Sequence, residues 1–188
     1  MATPDGALRA RQPPTWWNRE MDVAALLLEL YSRIPPLAGS VVDGVDLATL
    51  TEAPSPGANT IAWLVWHAAR VQDDHVAEII DADQIWIAGD WARRFGLDPD
   101  PGNTGYGHAA QDVAAVRPES PQVLIEYLDA VDGRTRTLLE RLTPKDLDRV
   151  VDRRWDPPVT LGVRLVSIAD DSLQHLGQAA YLRGLLAT

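Results

Sequence analysis

The chain contains no cysteine. That excludes a disulfide scaffold, a cysteine-ligated zinc or iron–sulfur site and a protein thiol acting as nucleophile. Positive charge is also scarce: 17 basic residues face 27 acidic ones, a formal charge of −10. So acidic a surface repels phosphate backbones, and nucleic acid is not an expected partner. Long hydrophobic runs are missing as well. The longest, Val23 to Leu28 and Ile61 to Trp66, are far too short to span a bilayer, so no membrane association is expected. The opening segment MATPDGALRARQPP lacks an apolar stretch of signal-peptide length, which points to a cytoplasmic protein. No stretch shows the apolar–polar alternation of a half-buried strand, and there are no internal repeats.

What is present is helical periodicity. The 188 residues, 46% of them hydrophobic, suffice for one sizeable core, so a single domain over 1–188 is expected, with its core at about 19–186. A first helix is predicted from about Arg19 to Ile34, ended by Pro35-Pro36, with a Pro-, Gly- and Ser-rich loop segment after it. Asn59 or Thr60 caps a second helix from about Ile61 to Ile80. A short helix is expected within Trp86 to Phe95, and then GLDPDPGNTGYGH carries too many Gly and Pro for helix. Ser120 and Pro121 open a third helix reaching about Leu142, and TPKDLDR makes a short turn of helix. Thr160 opens a fourth helix that runs to about Leu186. The expected fold is all-α: a four-helix bundle with a long excursion between its second and third helices.

Some polar residues fall on faces that should be buried. At 100° per residue, Ile168, Asp171, His175 and Leu182 share one stripe of the fourth helix, with Gln178 beside them. Leu64, His67, Val71 and Asp74 form a stripe on the second helix. His67, Asp171 and His175 therefore point toward the bundle interior, where unpartnered polar groups are costly. One reading is a metal site of two imidazoles and a carboxylate. Such a trio suits a divalent ion, Zn²⁺ first and Ni²⁺ or Fe²⁺ as alternatives, with coordination positions left for water or substrate. The other reading is a hydrogen-bonded Asp171–His175 pair along one helix and a separately satisfied His67. Spacing alone leaves both open.

The segments WLVWHAARVQDDH (Trp63 to His75) and DDSLQHLGQAAYLRG (Asp170 to Gly184) resemble the DinB-like superfamily. Within it, the chain is similar to the metal-dependent, mycothiol-using transferases and isomerases. The resemblance covers roughly Asp22 to Leu186 and implies an up-up-down-down four-helix bundle. It also implies metal ligands at His67, Asp171 and His175. Members that use mycothiol tend to carry an acidic residue at the position of Asp171; an aspartate is one methylene shorter than a glutamate, a departure that bears on metal affinity and choice.

Other residues are candidates for supporting roles. Asp74, nearly in line with His67, is a candidate partner for an imidazole or acceptor of a proton from a thiol or water. Its alternative is a solvated rim carboxylate. His75 points about 80° away from His67, which favours a supporting or surface role over ligation. Gln178 is placed to hydrogen-bond a ligand or substrate, or to finish a polar patch in the core. The glycines of GNTGYGH suit a lid over the bundle mouth, with Tyr106 or His108 touching substrate, or a plain surface loop. Seven tryptophans against one phenylalanine serve mostly packing, with one or two free to wall a pocket for a sugar-bearing thiol.

The function expected from the resemblance is transfer of a low-molecular-weight thiol, mycothiol, to a small electrophile. Metal and mycothiol are its cofactor and cosubstrate. Thiol departure after attack would make the same chemistry a maleylpyruvate-type isomerisation. The alternative of another class is a non-catalytic metal-binding or dimerising stress-response bundle, and a homodimer is compatible with either.

Overall fold

The computed structural model describes residues 21–186. Three long helices match the sequence periodicity. Helix α4 (Ile61–Ile80) begins where the Thr60 side chain accepts from the Trp63 N–H and stops at Asp81, in left-handed backbone. Helix α8 (Pro121–Leu139) begins where Ser120 accepts from the Val123 N–H, with Pro121 in the first turn. Helix α9 (Leu161–Leu186) runs to the last described residue.

The expected first helix differs. It is two helices, α1 (Val23–Tyr31) and α2 (Ile34–Val42), and residues 19 and 20 lie outside the described residues. Pro35 and Pro36 do not end a helix but occupy the first turn of α2, where the missing N–H groups would have had no helical partner anyway. The segment read as loop thus holds α2 and a further turn, α3 (Leu47–Leu50), capped by Asp46. The excursion between α4 and α8 carries three short helices, α5 (Ile85–Ala88), α6 (Trp91–Arg94) and α7 (Ala110–Ala115). The short helix expected over Trp86 to Phe95 is broken at Gly89 and Asp90. Helix α8 stops at Leu139 rather than Leu142, and Pro144–Asp148 form a 3₁₀ turn.

The fold is all-α as expected, with one small addition. A small antiparallel hairpin exists, β1 (Val150–Asp152) with β2 (Val159–Thr160). Three and two residues are too few for an alternation to be recognised in sequence.

The bundle is built from α1 with α2, α4, α8 and α9. Helix α4 packs on both α8 and α9, and α2 closes the opposite side against the same pair. Fifteen of the 20 residues of α4 are buried, making it the central helix. One contiguous apolar cluster runs through the described residues from Leu27 to Ala179, anchored by Trp66, Trp86, Tyr127 and Phe95. Among the described residues, no helix is long and apolar enough to cross a membrane.

The split first helix is tied to the bundle by Tyr31, whose fully buried hydroxyl donates to the Leu165 carbonyl at 2.7 Å. Burial pushes that phenol's pKa well above its ordinary value, so it remains a donor. Tyr31→Phe keeps the ring and removes only this bond. The expected outcome is a loss of about 1 kcal/mol in urea unfolding with unchanged helicity.

Candidate metal centre

His67, Asp171 and His175 meet on the seam between α4 and α9. One ligand atom from each lies within 4.8 Å of the others, so this cluster could hold a metal ion. The two imidazoles approach edge to face, with ring centroids 4.7 Å apart. Their Nε2 atoms lie 3.9 Å (His67) and 3.5 Å (His175) from the same oxygen, Oδ1 of Asp171. The other oxygen, Oδ2, is buried and has no hydrogen-bond partner.

The tautomers follow from the second nitrogens. His67 Nδ1 lies 2.5 Å from the Thr104 carbonyl oxygen, which can only accept, so the ring donates there. His175 Nδ1 lies 3.1 Å from Oε1 of Gln178 and donates likewise. With both Nδ1 atoms protonated, the Nε2 atoms of the neutral rings present lone pairs toward one carboxylate. This is the arrangement in which metal-binding histidines are held: one nitrogen tied to a carbonyl, the other directed at the ion.

Electrostatics differ between the rings. Burial lowers the pKa of His67, a tendency opposed by the Thr104 carbonyl and by Asp171. His175 is raised, chiefly because Asp171 can accept from Nε2 once the ring is protonated. His67 is therefore the more firmly neutral imidazole, and His175 the one a proton takes first.

The cluster opens onto a cleft of about 560 Å³ lined by His67, Asp171, Asp74, His75 and Tyr106, together with Arg154, Trp155 and Arg164. The hairpin fixes the two arginines. Asp152 accepts from Arg164 at 2.6 Å and from Arg154 at 2.8 Å, holding both guanidinium groups beside the cleft. Arg164 also donates to His75 Nε2 at 3.1 Å. His75 therefore carries its proton on Nδ1 when neutral, and burial together with Arg164 and Arg154 pushes its pKa down to about 4.

The remaining sequence candidates are distributed as follows. Asp74 lines the cleft two turns from His67; Gln84 donates to it at 2.7 Å, and burial raises its carboxyl pKa. Gln178 is bonded to His175 rather than facing the cleft. Tyr106 stands at the cleft with 94% of its surface exposed. His108 does not line the cleft: it accepts from the Trp63 indole at 3.1 Å, bonds Asn103, and stacks on Trp66. The loop between residues 101 and 108 is thus packed onto α4 rather than free above it.

Sequence reasoning did not find the Thr104 carbonyl, because a backbone acceptor leaves no mark on residue identity. It flagged the glycines around it, and Gly105 shows why they matter. Its φ is +95°, and a Cβ there would stand 2.6 Å from His67 Nδ1 and 3.1 Å from both the Trp63 and Trp66 rings.

The sequence pattern of the DinB superfamily matches residues 30–179. The chain belongs to the DinB superfamily. A solved structure described as a conserved protein of locus from Enterococcus faecalis is 32% identical, with a TM-score of 0.82, and the match covers 89% of this chain and 99% of that one. Among curated proteins, none matches the chain. Family membership accounts for the bundle around which the short helices and the hairpin are arranged.

Two outcomes follow from this geometry. Gly105→Ala forces the loop away from α4; we expect a loss of roughly 1–3 kcal/mol by denaturant unfolding, together with loss of the single Nδ1–H form of His67 in imidazole NMR. His75 gives a pH signature. The unfolded chain takes up a proton at about 6.5 and the folded one only at about 4, so the unfolded state binds more protons between them. This group leaves stability unchanged above 6.5 and removes up to about 3 kcal/mol as the pH falls from 6.5 to 4. His75→Gln should flatten that portion of the stability–pH curve, measured as the difference from the parent.

Proposed function

We propose that the chain is a metal-dependent thiol S-transferase, with His67, Asp171 and His175 holding a divalent ion, Zn²⁺ first, and mycothiol as the thiol. The observation that carries this reading is the pair of Nε2 lone pairs converging on Oδ1 of Asp171 at a cleft that His67 and Asp171 line. Three protein ligands leave a position for a small molecule, whereas a closed structural site needs a fourth. Among the described residues, no further His, Asp or Glu joins the cluster.

A divalent ion bound there lowers the pKa of an incoming thiol and supplies thiolate at neutral pH. The chain's own residues do the rest. His67 and His175 stay in fixed tautomers through Thr104 and Gln178, and Asp171 supplies the negative charge that balances the ion. The sulfur–carbon bond forms as the electrophile's bond to its leaving group breaks. Asp74, with its raised carboxyl pKa, receives the thiol's proton across the cleft by way of water. Trp155 and Tyr106, both exposed at the mouth, offer ring faces to the sugar portion of the thiol. The protein needs no cysteine, because the cosubstrate brings the sulfur.

The test combines metal content, helicity and thiol conjugation. His67→Ala and His175→Ala should each lose bound Zn²⁺ and conjugating activity while circular dichroism stays that of the parent. Asp171→Asn keeps the shape and should weaken metal binding, with Asp171→Glu tolerated better. Acid should release the ion as His175 and then His67 protonate, His175 first because its pKa is the raised one. Retention of a full equivalent of metal by either alanine variant removes that residue as a ligand. A metal-loaded protein that conjugates none of several thiols, mycothiol included, faster than the uncatalysed reaction overturns the enzymatic reading.

A further inference from the structure

Arg70 lies three residues after His67 on α4 and its side chain has no exposed surface. A guanidinium so placed must find acceptors for its N–H groups or lose several kcal/mol of hydration. Two of its partners belong to the core: Nη1 donates to Asp73 at 3.3 Å and to the Tyr127 hydroxyl at 3.1 Å. The other contacts lie on the excursion. Nε donates to the Asn103 carbonyl at 3.1 Å, and Nη2 donates to the Pro101 carbonyl at 3.1 Å and to Gln84 Oε1 at 2.8 Å. Gln84 in turn donates to the Pro101 carbonyl at 3.2 Å. Thr104, whose carbonyl receives the His67 Nδ1–H, is the residue immediately after Asn103.

We infer that Arg70 is a positioning residue for the candidate metal centre: by clamping the carbonyls of Pro101 and Asn103 it holds the Thr104 carbonyl on His67 Nδ1 and so sets that ring's tautomer. The argument is geometric. The loop has no regular structure over these residues, and its backbone acceptors would otherwise turn to water. The guanidinium fork reaches two carbonyls at once and α4 is rigid, so the loop is fixed relative to His67 itself. An unclamped loop leaves His67 free to place its proton on either nitrogen, and a proton on Nε2 removes the lone pair that faces Asp171. The consequence for metal rests on the ligand role proposed above; the consequence for the tautomer does not.

The experiment is imidazole nitrogen–proton NMR on the metal-free protein, above the histidine titration range, alongside Zn²⁺ titration. Arg70→Lys keeps a positive charge beside Asp73 and Tyr127, but one ammonium cannot reproduce the fork. Gln84→Ala removes one holder of the Pro101 carbonyl at a half-buried site and is the milder variant should Arg70→Lys fail to fold. The parent is expected to show His67 as a single Nδ1–H form. Both variants are expected to show a mixture of forms and a Zn²⁺ affinity reduced roughly tenfold or more for Arg70→Lys and less for Gln84→Ala. A merely structural arginine would lower the unfolding temperature without moving the tautomer. Folded variants that keep the pure Nδ1–H form and the parent's Zn²⁺ affinity overturn the inference; if Arg70→Lys is unfolded, the Gln84→Ala spectrum alone decides it. A shifted tautomer in a protein whose parent binds no Zn²⁺ would uphold the clamp and instead remove the metal reading.

Discussion

A charge buried without exposed surface constrains everything within its reach, and Arg70 is such a charge at the centre of this bundle. Its acceptors come from α4, α8 and the excursion, so three parts of the chain are fixed to one guanidinium. Asp73 supplies the countercharge and then accepts the Ile85 and Trp86 N–H groups at 2.9 and 2.8 Å, which sets where α5 begins. The Arg70 guanidinium also lies 4.9 Å from the Trp86 ring centroid, adding a cation–π contact to the same cluster. Arg70, Asp73 and Tyr127 are completely buried, and such networks specify one arrangement because a half-satisfied version is costly.

That fixed scaffold lets polar chemistry sit at the seam of α4 and α9. His67 is almost fully buried and stacks on Trp63 with ring centroids 4.6 Å apart, while Asp171 and His175 remain partly exposed. The seam has a second polar pair two turns along, where Arg164 meets His75. The two pairs, 67 with 171 and 75 with 164, follow the register of antiparallel helices. The hairpin supplies Asp152, the carboxylate that Arg164 bonds. One end of the cleft is thus a set of lone pairs and the other a balanced group of arginines and carboxylates.

Much of this was legible in the sequence, for identifiable reasons. Helix α4 matches its expected span because Thr60 is a strong cap and the apolar period is unbroken over 20 residues. His67, Asp171 and His175 stand out because polar residues on an apolar stripe require an explanation, and the structure brings their ligand atoms together. The first helix is misread because Pro-Pro is compatible with either the end or the start of a helix. Gln178 is marked by its spacing from His175, but its bond to the ring rather than to a substrate depends on the rotamer chosen in the fold.

The sequence by itself determined the three long helices and the lack of a protein thiol, and it marked His67, Asp171 and His175 as polar residues on apolar stripes, since periodicity, composition and i, i+4 spacing are local properties. Only the tertiary structure decided the tautomers, the cleft and the role of the loop. His67 is oriented by a backbone carbonyl 37 residues away, and the loop that carries it is held by a guanidinium more than 30 residues earlier in the chain. His108, for which the sequence left a place over the cleft or in a plain surface loop open, anchors that loop to Trp63. Contacts of this kind join backbone atoms to distant side chains, and nothing in the identity of either partner records the pairing before the chain is folded.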